Sequence, residues 1–328
     1  MMLITRRRML AGLMAPLLCA PLAAHGQNVP AGFPGQPMTL VVPFTPGGPV
    51  DVLGRILAQE FQTRSGQPAT VDNRTGGAGN IGIDAVRKSR PDGTTLLLIP
   101  AGNLTINPTL MKNLAFDVER DFAPITLLAT APNIVVASRQ FGAATMSDVL
   151  ARAKRGRVTY GSPGVGSQLH LTMELVKASS GADFVHVPYR GSSQALNDLV
   201  GGHVDLLATN LTATLGAIKA GGVTPIALTT ATRNALVPNV PTLAEAGFAA
   251  IDVASWYGLL APRAIPDPVR DAIFAVTRDV LMSSAIRELL DAQGLTVSIE
   301  EPTTFAARIR RETELWADVM KKNNISAP

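Results

Sequence analysis

Cysteine is all but absent from this chain. Its single copy among 328 residues, Cys19, falls in a leader-like N-terminal segment. Disulfides and thiolate chemistry therefore drop out of the mature protein. An excess of one charge sign is missing too. The formal net charge of +4 includes Arg6, Arg7 and Arg8; without residues 1–26 the balance is 26 basic to 25 acidic side chains. That is no electrostatic footprint for nucleic acid. The densest basic cluster, Arg152, Lys154, Arg155 and Arg157, sits where a helix is expected to end, and there it complements the helix dipole. Long apolar runs are lacking as well. Met9–Leu22 is short and broken by Pro16 and Pro21, so it falls below the length of a membrane span.

Catalytic signatures are equally scarce. No G-x-S-x-G surrounds a serine, and neither H-E-x-x-H nor a P-loop lysine occurs,. His170, His186 and His203, the histidines beyond residue 26, share no metal-ligand spacing. Gly77-Ala78-Gly79-Asn80-Ile81-Gly82 matches G-x-G-x-x-G, but the next strand ends in Ile99-Pro100-Ala101-Gly102. The acidic partner of a dinucleotide site is missing there. No cofactor, metal or catalytic team is expected.

What is present is organised around Leu40–Phe61. Leu40-Val41-Val42 reads as a buried strand, Pro43 to Pro49 as a glycine-centred turn, and Leu53, Ile56, Leu57 and Phe61 recur at helical spacing,. Strand, glycine loop and helix start together present unpaired backbone N–H groups to an anion. Glycine there leaves room for close approach and frees the loop's φ angles. A plain βα turn has the same layout, so a second copy matters. Arg157–Tyr160 leads into Gly161–His170 and then a helix carrying Leu169, Met173 and Val176. Two anion cradles on one chain predict a cleft with a carboxylate clamped in it.

Around these cradles, apolar strands alternate with helices. Strands are expected at Ala69–Val71, Thr95–Ile99, Ile125–Leu128, Ile134–Ala137, Phe184–Val187, Val204–Ala208 and Pro225–Leu228. The alternation predicts an α/β protein with parallel sheets. Ser147 and Asp267 are expected helix caps, and Thr242 with Glu245 has capping-box spacing,. The length fits two domains. Residues 1–26 have an Arg-rich start, an apolar stretch and small residues at the end, which predicts an export signal. Its Thr5-Arg6-Arg7 start is similar to the twin-arginine variant.

Several motifs follow one another in order. They are Pro43-Phe44 through Gly47-Gly48 to Asp51 and Arg55; Asp72-Asn73-Arg74 with Gly76–Gly82; Pro91-Asp92-Gly93-Thr94; and Tyr160–Ser167 with His170-Leu171. Then come His186-Val187-Pro188-Tyr189-Arg190-Gly191, Gly201-Gly202 before Val204-Asp205, Pro241-Thr242 with Glu245-Ala246-Gly247, and Trp256-Tyr257-Gly258 before Ala261-Pro262. In this order, from about Phe33 to the C-terminus, the chain resembles the Bug receptors, extracytoplasmic solute-binding proteins of tripartite tricarboxylate transporters. Pro49 departs from that family's usual loop, where a small polar residue is commoner.

The resemblance implies a type II periplasmic-binding-protein fold, two α/β domains flanking a ligand cleft with two chain crossings. It implies a small carboxylate as ligand and the membrane components of such a transporter as partners. No nucleic acid, no membrane insertion of the mature chain and no enzyme activity are implied. A periplasmic sensor or an orphan binding protein of the same fold is the alternative. Carried over, Phe44, Thr45, Gly47, Gly48 and Asp51 form one jaw of the site. Ser162, Gly164, Gly166, Ser167 and His170 form the other, with Arg190, Gly191 and Asn210 as further candidates. Asp51 either caps N–H groups of its own loop or receives an ammonium group from the ligand. Gly166 is expected at the cleft surface. Strand signals near Ile125–Ala131 and Ile251–Tyr257 place the crossings so that one domain is 27–128 plus 254–328 and the other 129–253.

Overall fold

The computed structural model describes residues 29–112 and 114–326; the expected export segment, 1–26, lies outside them. The chain begins with β1 (Met38–Val42), α1 (Pro49–Ser65), β2 (Ala69–Asn73), a 3-10 turn at Gly77–Gly79, α2 (Asn80–Arg87) and β3 (Thr95–Pro100). Short helices α3 (Ala101–Thr105), α4 (Asn107–Leu110) and α5 (Val118–Asp121) lead to β4 (Phe122–Ser138). Next come α6 (Met146–Ala153), β5 (Val158–Ser162), α7 (Gln168–Ser180), β6 (Phe184–Pro188), α8 (Ser192–Val200), β7 (Leu206–Asn210), α9 (Leu211–Lys219) and β8 (Val223–Leu228). The chain closes with β9 (Ala254–Pro262), α10 (Asp267–Leu281), α11 (Ser284–Asp291), β10 (Thr296–Val297) and α12 (Pro302–Lys322).

The apolar strands are continuous because both faces of each are covered. Leu40, Val42, Leu96 and Leu98 pack in one core with Leu53, Leu57 and Phe61 of α1. Val41, Leu97 and Ile99, on the opposite face, pack with Ile83 and Val86 of α2 and Phe305 and Ile309 of α12. The second half repeats the arrangement. Tyr160, Leu206 and Ala208 meet Leu169, Met173 and Val176 of α7, while Leu207 meets Leu199 of α8 and Leu211 of α9.

The strand order is β2-β1-β3-β9-β4-β7-β5-β6, with β8 and β10 also paired to β4. β1 runs parallel to β2 and β3, and β5 parallel to β6 and β7. Every pairing of β4 and β9 is antiparallel. The expected parallel sheets are therefore mixed.

β4 differs most from the sequence reading. Ile125–Leu128 and Ile134–Ala137 are parts of one 17-residue strand. Up to Pro132 it pairs with β9, and from Asn133 it pairs with β7 and β8. Proline cannot donate to a ladder, and it falls where the partners change. This changeover lies past residue 128, while the second crossing enters β9 at Ala254. The two halves are joined in one pairing path because β4 belongs to both. α12 also serves both: Phe305 and Ile309 lie in a first-half core, Trp316 and Met320 in a second-half core.

Two expected caps shift, and a third forms without a helix to follow it. α6 is capped by Thr145, which makes a reciprocal box with Asp148, rather than by Ser147. α10 follows Pro266, and Asp267 pairs with Arg270 at 2.8 Å instead of capping. Thr242 and Glu245 do form the reciprocal bonds, at 2.8 and 3.1 Å, but around a turn that no helix continues.

Candidate functional site

The strand ends β1, β5, β6 and β7 feed α1, α7, α8 and α9, and the N-caps of those four helices are Gly48, Ser167, Gly191 and Asn210. All four line one cavity, which holds ≈ 630 Å³ of empty space with its open mouth included. Only Ser167 caps its helix through a side chain; its Oγ accepts from the His170 N–H at 3.1 Å and donates to the Gly164 carbonyl at 2.8 Å. Gly48, Gly191 and Asn210 make no side-chain cap bond. First-turn N–H groups at these starts are thus open to an anion. Among the described residues, no Arg or Lys lines the cavity, and Asp51 is the sole carboxylate that does.

Asp51 is turned to its own loop. Oδ2 accepts from the Gly47 N–H at 3.0 Å and from Arg55 Nε at 2.9 Å, and Oδ1 accepts from Asn73 Nδ2 at 3.0 Å. The same Asn73 amide donates to the Phe44 carbonyl at 3.1 Å. Burial raises the carboxyl's pKa, but the hydrogen bonds from Arg55, Gly47 and Asn73 outweigh it and hold Asp51 below the usual carboxylate range. Asp51 stays ionised and shapes the turn that presents α1.

The jaws touch across the cleft. The Thr45 N–H points to the Arg190 carbonyl at 3.4 Å, and Ser193 Oγ donates to the Pro46 carbonyl at 2.9 Å. Phe44, Thr45, Gly48, Asp51, Gly164, Ser167, Gly191 and Asn210 line the cavity; Gly47, Ser162, Gly166, His170 and Arg190 do not. Gly47 spends its N–H on Asp51. Arg190 lies on an adjoining cavity that shares Phe44, Ala78, Pro163, Gly164 and Val165 with the first.

Ser162, Gly166 and His170 support the second loop from behind. The Gly166 N–H donates to His170 Nδ1 at 3.3 Å, so it is not free for a ligand. Nor is Gly166 at a cleft surface: with φ at +78°, a Cβ there would sit 1.8 Å from Asn107 Oδ1. The His170 ring stacks on His186 with centroids 4.1 Å apart, and His186 stacks on Tyr160 at 4.9 Å. Ser162 Oγ lies 2.7 Å from His186 Nε2. Burial, with His170 beside it, pushes His186 down to about 3. Burial also lowers His170, against the pull of Glu174. Both rings are neutral at neutral pH, and His170 can accept from the loop.

Of the wall made by β7 and β9, sequence reasoning found Asn210 at the end of β7 but missed Ser255 and Tyr257 of β9. Asn133 Oδ1, at the changeover in β4, accepts from Asn210 Nδ2 at 2.7 Å and from Ser255 Oγ at 2.8 Å. Tyr257 completes that wall, and its buried hydroxyl has no partner; Thr45 Oγ1 on the opposite jaw is also unpartnered. Strand alternation alone could have put Ser255 and Tyr257 on one face of β9. Among the described residues no group of three or more His, Cys, Asp or Glu converges on a metal position. No described helix is long and apolar enough to cross a membrane.

Two α/β halves that share a strand, with a cation-free cavity ringed by helix N-termini between them, define a periplasmic-binding-protein type of solute receptor. The family can be stated as well. The chain belongs to the tripartite tricarboxylate transporter family receptors, whose family model matches residues 53–325. It is 33% identical over 293 residues to protein BugT of Bordetella pertussis, covering 88% of this chain and 90% of BugT. The structure of R. palustris Rpa4515 with adipate is similar at a TM-score of 0.86 and 32% identity, covering 89% of this chain and 99% of that one. MatC from Rhodopseudomonas palustris with bound malate aligns at a TM-score of 0.82 and 30% identity, over 88% and 99% of the two chains.

Proposed function

We propose that this protein is the periplasmic receptor of a tripartite tricarboxylate transporter: it captures a small carboxylate between its halves and delivers it to the membrane components. One observation carries the reading. Four helix N-caps, three of them without side-chain caps, converge on a cavity that contains no cation. A carboxylate there gains roughly 0.3–1 kcal/mol from each dipole, up to about 2 where partly buried. Hydrogen bonds to the charged oxygens add about 1.5–3 kcal/mol each before ordering costs. Two or three such contacts reach the ~8 kcal/mol of a micromolar receptor. Adipate and malate in the two similar structures are dicarboxylates, which supports the same ligand class here.

The two halves act as closing domains, the expected boundary at 128/129 moving to the partner change between Pro132 and Asn133 and the second crossing lying where the chain enters β9 at Ala254,. The role is binding and not turnover. Native mass spectrometry of freshly purified protein should identify a co-purified acid, and calorimetric titration should return it with micromolar or tighter affinity. Failure to bind any small carboxylate, or chemical conversion of the bound acid, would refute the receptor role.

A further inference from the structure

Two buried hydroxyls on the cavity lining have no hydrogen-bond partner, Thr45 Oγ1 and Tyr257 OH. They belong to different walls. Thr45 sits in the loop before α1, beside the N–H groups that would hold a carboxylate. Tyr257 comes from β9, on the wall it shares with Asn210 and Ser255. Its side chain is 1% exposed and its ring belongs to the first-half core around Leu40 and Leu53. The phenol therefore has no freedom to turn elsewhere for a partner. Beside it, Asn210 Nδ2 and Ser255 Oγ both donate to Asn133 Oδ1, so neither donates to the phenol, whose own hydrogen reaches no acceptor among the described residues. Burial is the largest influence on the phenol and pushes its pKa up, so the group stays protonated and remains a donor. A buried donor without an acceptor is costly and uncommon in native proteins.

We infer that Tyr257 is a specificity-determining residue, whose phenol donates to a second oxygen of the ligand beyond the carboxylate held at the helix N-termini. This rests on the receptor reading and sharpens it. The ligand class becomes short acids that carry a carboxylate, carbonyl or hydroxyl oxygen away from the clamped carboxylate. Phe44, Val165 and Leu169 on the lining suit a hydrocarbon stretch between the two groups. No cation is supplied for the second group, so recognition there is by a neutral donor.

Tyr257→Phe removes the hydroxyl and keeps the ring. Wild-type and variant should be titrated with succinate, malate and adipate, and with the monoacids butyrate and hexanoate. The expected result is at least a tenfold loss for the best of the first three, which corresponds to about 1.4 kcal/mol. Monoacid affinity should stay within about twofold, which at this scale is less than 0.5 kcal/mol. The ligand-free variant should melt at or above the wild-type temperature, because the lost hydroxyl had no partner. An equal loss for both groups, or no loss for either, would overturn the role of Tyr257 while leaving the receptor intact. A wild-type protein that binds none of the five but does bind another small carboxylate would overturn this inference and leave the receptor reading standing; one that binds no small carboxylate, the co-purified acid included, would overturn both.

Discussion

Gly191→Ala asks whether the cleft must shut as tightly as the structure shows. The backbone at Gly191 is extended, with φ at 163°, so alanine meets no conformational strain. Space is the obstacle. An added Cβ would lie 2.2 Å from Thr45 Oγ1, 3.2 Å from the Thr45 nitrogen and 3.3 Å from its Cβ. The Thr45 hydroxyl can rotate away, but the backbone nitrogen cannot. Ordinary non-bonded contact begins near ~3.5 Å, so the jaws must part by a few tenths of an ångström after rotation and by about 1 Å without it. The Thr45 N–H to Arg190 carbonyl contact, already 3.4 Å, would be lost. A ligand gripped from both jaws would lose ideal geometry on one of them. Forfeiting one charge-assisted bond costs about 1.5–3 kcal/mol, so affinity should fall roughly 10- to 100-fold. Titration calorimetry with the co-purified acid measures this, and melting of the ligand-free protein controls for folding. Thr45→Ala should make Gly191→Ala less harmful, giving a coupling energy in the double-mutant cycle. Wild-type affinity in Gly191→Ala would refute the closed-jaw geometry.

Other substitutions separate support from contact. Gly166→Asp should act mainly on folding, because positive φ costs a side chain about 1–3 kcal/mol and the Cβ overlaps Asn107; uncharged Gly166→Ala should melt almost as low, whereas normal melting of Gly166→Ala would return this loop to direct ligand contact. Asp51→Asn should weaken binding even though it removes a negative charge beside the anion, since Gly47, Arg55 and Asn73 lose their anchor; tighter binding in calorimetry would mean Asp51 had been repelling the ligand. The folded pKa of Asp51 is below its ordinary 3.8, so its stabilisation is full above that value and lost as pH falls through the folded one; the melting difference between wild type and Asp51→Asn should vanish in strong acid. His186 titrates near 6.5 when unfolded and about 3 when folded, so acidification below pH 6.5 protonates the unfolded chain first and lowers stability. Thermal melts from pH 7 to 5 should therefore fall less steeply for His186→Gln, and equal slopes would count against a neutral buried stack.

The two cradles were legible because each is written in consecutive residues. Gly48 and Ser167 follow a strand and precede an apolar periodicity, so loop chemistry and helix spacing locate them together. The role of Gly166 was not legible. Its glycine answers a positive φ and the side chain of Asn107, far away in sequence, rather than a ligand. Tyr257 and Ser255 escaped for a related reason: a half-apolar strand does not declare which of its polar atoms lacks a partner. β4 was divided in two because Pro132 and Asn133 look like a break. Pro132 does end one set of pairings, but Asn133 begins another, and only the fold supplies those partners. Parallel strands were expected because helices follow them; β4 and β9 run the other way as the strands through which the chain crosses between halves.

Sharing β4 and α12 between halves bears on how the chain can fold at all. Removing the second half would strip β7 and β8 from β4 and expose Trp316 and Met320; removing the first would strip β9 and β10 and expose Phe305 and Ile309. Neither half is therefore expected to fold on its own, and denaturation is expected as a single cooperative event. The order of synthesis adds a second constraint. β9 and α12 are made after every strand of the second half, so a nascent chain has no complete core on either side until its C-terminal residues emerge. An incomplete product would expose apolar faces on both sheets, and truncation near the C-terminus would compromise the whole molecule instead of one lobe.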